Sequence, residues 1–505
     1  MLKKEWVSTA NLIMDTQEEC PICSEFLLPD YCPDMALILK CFAYPRLQNR
    51  QWSGDKLLID GSAVVRILYL DESRHSVRSV EYALPFACAL RCDDRTEDLS
   101  ASIEMDTKYV NCRALNPRRL EVRGSILVSI RAEGVVSREV CCSSECEELF
   151  VRTFEAKTTI PDEWIEKIVT VSDSLEFDHT LPPAHMLLGG ECRSVVRECK
   201  VLSGKMIVKG NIYVHQLYTD TSEGESTHCL DFCLPYSQIL DVPDVTEGIP
   251  YMVSVQIISD TERCVVGPDG NNTMLDVTVK LLVQLRTYKM VEYALAQDAY
   301  HCHHPLSMHQ EEVEFCTMLG ERIEDTVVTH TIPLVSERWS EILDVILQPQ
   351  GCQANVRDGC VTGLWKSLVC VLAKDVSGEV VYNEYVADVP LMFPIEGDSA
   401  CLKIHLADYK YRVVDGRLEL QMALNVMLRE YHCTTQSIIT EAKLQKNATI
   451  KESKATAMLY YGMPGESVWD VGRCCCASPE EICAENALIG ETLTEATVLV
   501  VPMMN

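Results

Sequence analysis

The residues in this sequence best suited to chemistry are histidines and cysteines. His301-Cys302-His303-His304 stand in a row, with His309 and Cys316 nearby. Imidazole and thiolate groups hold zinc when several converge on one tetrahedral centre. Adjacent residues point in different directions, and the flanking spacing matches no standard site, so this row reads as an exposed loop or an incidental cluster. Cys20-Pro21-Ile22-Cys23 has the CxxC spacing of thiol redox centres, but no strand-to-helix context surrounds it. Its expected role is structural or incidental, as is that of Cys141, Cys142 and Cys146. No GxGxxG, Walker or HExxH pattern occurs. With 75 acidic residues, carboxylate pairs arise by chance, and acid–base chemistry needs a pair positioned in a pocket. The expectation is a non-enzyme with no catalytic residue, metal or cofactor.

Composition narrows the classes further. The chain has 505 residues, 47% hydrophobic and 24% charged. That is ordinary globular material, enough for three or four domains. The formal net charge of -30 repels bare nucleic acid and anionic lipid, so no nucleic-acid partner is expected. No run reaches the roughly 18 apolar residues of a membrane-spanning helix. The N-terminal Lys residues are not followed by an apolar h-region before Asp15 and Glu18, so no signal peptide is read and a cytoplasmic location is expected. The 26 cysteines are then expected as small buried hydrophobes in a reducing compartment. Exposed Cys474–Cys476 cross-linking to neighbours after oxidation is the alternative.

The elements that must position these residues repeat. Leu57–Asp71 (LLIDGSAVVRILYLD), Met206–Asp220 (MIVKGNIYVHQLYTD) and Cys360–Asp375 (CVTGLWKSLVCVLAKD) alternate with period two, and Gly61, Gly210 and Gly363 head them at intervals of 149 and 153. Pro29, Pro182 and Pro333 precede them at intervals of 153 and 151. Each run is followed by an apolar segment with proline (EYALPFACAL, DFCLPYSQIL, DVPLMFPI) and a third alternating run (LEVRGSILVSI, LDVTVKLLVQL, LELQMALNVML). Period-two alternation is the mark of strands, and a period this long is a domain, not a solenoid unit. The expected copies are residues 25–135, 175–290 and 326–432, after an N-terminal segment 1–24. Segments 136–174 and 291–325 read as connecting strands completing a neighbouring copy's sheet. Hairpin turns are expected at Asp71–Ser73, Ser222–Gly224, Ser377–Gly378 and Asp415–Gly416. Residues 433–456, polar and locally basic, read as a linker to a terminal segment, 457–505.

That terminal segment, AMLYYGMPGESVWDVGRCCCASPEEICAENALIGETLTEATVLVVP, resembles a LysM domain. The likeness rests on Pro464-Gly465-Glu466-Ser467-Val468-Trp469, on Pro479 behind the cap Ser478, and on Asn486. It implies a βααβ module: strand Met458–Tyr461, helices Trp469–Cys475 and Pro479–Asn486, and strand Val498–Val501. Trp469 is expected as its core aromatic. LysM domains bind N-acetylglucosamine glycans such as peptidoglycan, which implies a groove between the Gly465–Val468 loop and the loop after Asn486. Gly465, Glu466, Ser467, Val468 and Asn486 are the candidate glycan- or partner-binding residues. The family's usual glycine before the last strand is absent from TEATVLVVP.

The three-copy body resembles SPOCS domains. Leu28-Pro29-Asp30-Tyr31-Cys32-Pro33-Asp34 with Ile38-Leu39, and Gly61 with its strand, carry the likeness; the later copies lose the Pro-Asp pair. SPOCS copies followed by a LysM module are the arrangement of the SipL/SpoVID-like spore-coat morphogenetic family. The resemblance implies a mainly β scaffold in the mother-cell cytoplasm at the forespore surface, docking to a SpoIVA-like coat-basement ATPase. The alternative reading is a peptidoglycan-binding envelope protein. Gly61, Gly210, Gly363, Pro29, Pro182, Pro333 and Trp469 are expected to be structural.

Overall fold

The computed structural model describes residues 2–72, 76–92, 99–222, 225–334, 339–445 and 456–502. Among these the chain is almost entirely strand, with two short helices near the C-terminus. The mainly β class follows from the alternation of the sequence.

A six-strand unit occurs three times. The first is β1 (Leu2–Leu27), β2 (Met35–Ser53), β3 (Lys56–Asp71), β4 (Val77–Arg91), β5 (Ser100–Asn116) and β6 (Arg119–Ser144). The second is β7 (Leu149–Glu176), β8 (Ala184–Leu202), β9 (Lys205–Asp220), β10 (Thr227–Asp241), β11 (Tyr251–Val265) and β12 (Met274–His301). The third is β13 (Leu306–Pro333), β14 (Trp339–Arg357), β15 (Cys360–Asp375), β16 (Val380–Pro394), β17 (Ser399–Val414) and β18 (Arg417–Leu444). Each unit builds two antiparallel sheets, ordered β2-β3-β4 and β1-β6-β5 in the first, with the same pattern in the others. Pro85, Pro235 and Pro390 lie in β4, β10 and β16. These are edge strands, where a missing N–H costs no ladder bond.

The two sheets of a unit enclose its core. In the first, Ile59, Val65 and Ile67 of β3 meet Val122, Ile126 and Val128 of β6. The second and third units repeat this. The connecting segments 136–174 and 291–325 hold the ends of β6 and β12 and most of β7 and β13, strands that belong to the six-strand units on either side of them. The outer half of β6 pairs with β1, β7 pairs with β12 and β13 with β18, so every sheet stays within its own unit. Residues 433–444 of the expected linker are likewise the end of β18, paired with β13. Residues 446–455 lie outside the described residues, as do Ser73, Gly224 and the loop tips they mark. Asp415-Gly416, both with positive φ, turn β17 into β18.

The units form a closed ring. β4 of the first packs on β8 of the second, β10 of the second on β14 of the third, and β16 of the third on β2 of the first. Leu68, Leu217 and Leu372 hold the same place in β3, β9 and β15, and all three are buried in one cluster shared by the three units. A second shared cluster joins the long hairpins through Val7 and Val140, Ala156 and Leu295, and Phe315 and Ile438.

The strand register corrects the equivalence of the three glycines. Gly61 pairs with Phe86 and Gly210 with Tyr236, whereas the residue at that place in β15 is Trp365, paired with Val389. Gly363 comes two residues earlier, against Cys352 and Leu402. A Cβ on Gly61 would come within 2.3 Å of the Phe86 ring. Two copies therefore set a glycine beneath an aromatic ring, and the third sets an aromatic ring beneath a valine. The volume is kept while its source changes strand. The prolines show a similar shift. The Tyr218 hydroxyl donates to Pro182 O, and Tyr69 in the same place donates to Pro33 O rather than Pro29 O. Pro29 O instead accepts from Cys32 N in the turn before β2, and Pro333 ends β13.

Candidate interaction surface of the terminal module

The terminal segment folds as β19 (Ala457–Gly462), α1 (Val468–Cys475), α2 (Pro479–Glu485) and β20 (Thr497–Pro502), the expected βααβ order. Short helices need their ends satisfied. Ser467 caps α1 by accepting from Asp470 N, and Ser478 caps α2 by accepting from Glu481 N, with Pro479 at the first turn. Val468, Val471, Cys475 and Ile482 of the helices bury against Leu499 and Val501 of the ribbon.

The five candidate binding residues do separate jobs. Gly465 turns the chain with φ +89 and donates its N–H to Leu493 O at 2.8 Å. Glu466 accepts from Met463 N at 3.0 Å and from the Tyr460 hydroxyl. That second bond lifts the Tyr460 phenol to about 12. Ser467 bridges to Thr492, and buried Val468 donates to Glu491 O at 2.8 Å. Asn486 donates to Ile482 O and Val500 O and accepts from Val500 N, tying β20 to α2. The two loops of the expected groove are thus zipped together by backbone hydrogen bonds.

Trp469 is not the module's core aromatic. Its indole Nε1 donates to Asp298 Oδ2 at 2.8 Å, and its ring meets Tyr300 edge-on at 4.9 Å. Arg473 reaches the same carboxylate oxygen at 2.8 Å, and the Tyr300 hydroxyl donates to Ala477 O. A register shift in β12 between Ala296 and Asp298 marks a bulge there, the kind of irregularity that re-aims a side chain. The module is therefore moored to the second unit through α1. Nothing in the local sequence around Asp298 signals this contact.

The outer face of the β19–β20 ribbon is left apolar and open. Leu459 is 62% exposed, Tyr461 73% and Val498 50%, with Tyr461 directly opposite Val498. Met463 and Ile489 are also exposed in adjoining loops.

The residues singled out for chemistry are dispersed. Cys20 is buried and Cys23 exposed on one strand, so they face away from each other and no CxxC centre forms. Cys316 leaves the histidine row: it is disulfide-bonded to Cys433, its cross-strand partner. His301 meets Cys146 and Glu148 from the turn between β6 and β7, with donor atoms within 4.8 Å of one another. Its Nδ1 accepts the His303 N–H at 3.0 Å and its Nε2 faces Glu148 at 3.5 Å. Both ring nitrogens are thus engaged, and burial pulls the imidazole below its usual range. Of the terminal cysteines Cys474 is exposed, Cys475 is buried, and Cys476 ends α1 with positive φ. No helix among the described residues is long and apolar enough to cross a membrane.

Neither the curated proteins nor the solved structures include a match to this chain. Two stretches do match a family model, and the matches fall on equivalent parts of two units. Residues 34–115, from β2 through β5, and residues 185–262, from β8 into β11, are similar to the family described as SipL, SPOCS domain.

Proposed function

We propose that this protein is a non-enzymatic scaffold of spore-coat assembly, acting at the forespore surface. In this reading the ring of three SPOCS-like units is the rigid body. The LysM-like module carries the docking face for a SpoIVA-like coat-basement ATPase. The family match supports the sporulation context. The observation that carries the docking reading is the open apolar ribbon face of Leu459, Tyr461 and Val498, since contiguous exposed apolar surface marks interaction sites. The module's other side is occupied by its mooring to Asp298 and Tyr300. The loops expected to cradle a glycan spend their polar groups on each other.

The test is binding of the full chain to the coat-basement ATPase of the same organism, compared with Tyr461→Asp and with a chain ending at residue 456. Removing a central aromatic anchor should weaken binding at least tenfold, about 1.4 kcal/mol, and truncation should abolish it. Undiminished binding by both variants would exclude the ribbon face. Retention of peptidoglycan fragments by the full chain, lost on truncation, with no ATPase binding, would replace the scaffold reading with the glycan-binding one.

A further inference from the structure

The three joints of the ring are built on one plan with different polar residues. Arg66, His215 and Cys370 hold equivalent places in β3, β9 and β15, directly opposite Glu81, Asp231 and Glu384. Each faces the next unit at the place held by Gly189, Asp344 and Lys40, which are equivalent in β8, β14 and β2. At the first joint Arg66 pairs with Glu81 and donates to Gly190 O. At the third Lys40 pairs with Glu384. Each of these joints thus holds a permanent cation against a carboxylate. The middle joint has no Lys or Arg at either place. It gathers His215, Asp231 and the fully buried carboxylate of Asp344. Arg193 stands near Asp231 but also faces Glu191 and Asp408.

We propose that the middle joint is a transition-metal site, zinc by its ligand chemistry, formed by His215 Nε2, the Asp344 carboxylate and Cys229 Sγ. These donor atoms lie within 4.8 Å of one another, and His215 and Asp344 are buried. Nitrogen, sulfur and carboxylate oxygen in one compact set suit zinc. His215 Nδ1 lies 2.7 Å from Asp231 Oδ1, the carboxylate–histidine pairing that orients a metal-bound imidazole. The Cys229 thiol, 3.3 Å from Leu343 O, is held protonated by burial and by Asp344, and a bound cation reverses that preference. With Nδ1 on Asp231 and Nε2 3.1 Å from both Asp344 oxygens, His215 carries a proton on each nitrogen before binding. Binding releases the Nε2 proton and the Cys229 S–H proton, while Nδ1–H keeps its hydrogen bond to Asp231. Asp231, largely exposed, marks the solvent side from which an ion reaches the joint. The ion's two charges replace the two protons released, so it takes over from the His215 imidazolium the positive charge that Arg66 and Lys40 carry at the other joints, and it clamps the second unit to the third.

Titration of the full chain with Co(II) tests this, because a cobalt–thiolate bond adds an ultraviolet charge-transfer band. The expected result is a band saturating at one equivalent and removed by Zn(II). It should be lost in Cys229→Ser, weakened at least tenfold in Asp344→Asn, and unchanged in Cys146→Ser. Melting curves of each variant establish that it is folded, and the two substitutions at the joint serve as independent checks. No band in the native chain, a band that survives both Cys229→Ser and Asp344→Asn, or one abolished by Cys146→Ser would overturn the assignment.

Discussion

At the scale of single residues, one close constraint is the space over Gly61. Phe86 fills the volume where a Cβ would stand, so Gly61→Ala should cost about 1–3 kcal/mol, the usual range for overpacking. Phe86→Leu in the same chain should return part of that loss. Urea denaturation of the two single variants and the double variant measures the coupling; simple additivity would show that ring and glycine do not share the space. The repeated glycine was legible because Gly interrupts an otherwise β-branched and aliphatic run. Its replacement by Trp365 was not, because the compensating change sits on another strand, at Val389. Asp220 gives a second residue-scale prediction. Burial disfavours its ionised form, but hydrogen bonds from Ser222, His228 and two backbone N–H groups outweigh that and hold its pKa below the ordinary value. A carboxylate with a depressed folded pKa stabilises above its unfolded pKa, about 3.9, and loses that contribution as pH falls through the folded value. Melting temperatures taken downward from about pH 5 should therefore fall more steeply for the native chain than for Asp220→Asn, which does not titrate. Parallel slopes would remove Asp220 from the acid response.

At the scale of elements, capping made the terminal helices readable. Ser467 and Ser478 sit where hydroxyl acceptors are needed, and Pro479 begins α2. The mooring of α1 was hidden, because Trp469 and Asp298 are 171 residues apart and an indole reads equally well as core or contact. Asp298→Ala removes the acceptor shared by Trp469 and Arg473. Because Arg473 is half-exposed, solvent already weakens its share. The expected outcome is roughly tenfold faster amide exchange in α1 with exchange in β9 and β15 unchanged. Equal protection in both proteins would mean that the Tyr300 contacts alone hold the module. Asn486→Ala should act elsewhere, by freeing β20 from α2. Its three hydrogen bonds put the expected loss at about 1–3 kcal/mol, confined to exchange within the module.

At the scale of the whole molecule, three copies were visible and the ring was not. Alternation tells which residues are buried but not against what, so Leu68, Leu217 and Leu372 read as ordinary strand core. They belong to one cluster shared by the three units. A linear array would unfold piecemeal, whereas a ring with a shared centre links each unit to both others. Calorimetry of the full chain should give one main transition for the body, and Leu217→Ala should lower it as a whole. Separate transitions with only one displaced would mean the units stand alone. Exchanging the charges at the third joint, Lys40→Glu with Glu384→Lys, should restore much of what either single change loses.

The closed ring also sets a timetable. A chain is made from its N-terminus, and units fold as they emerge from the ribosome. The first unit can be complete when residue 144 has emerged, yet its partner on one side, β16, ends at Pro394, and the hairpin that finishes the third unit ends at Leu444. For the synthesis of some 300 further residues, reckoned from these two ends, Leu39, Phe42 and Leu68 stand without their final cover. The newborn protein is thus stickiest in the middle of its manufacture, and its last long strand is the one that seals it.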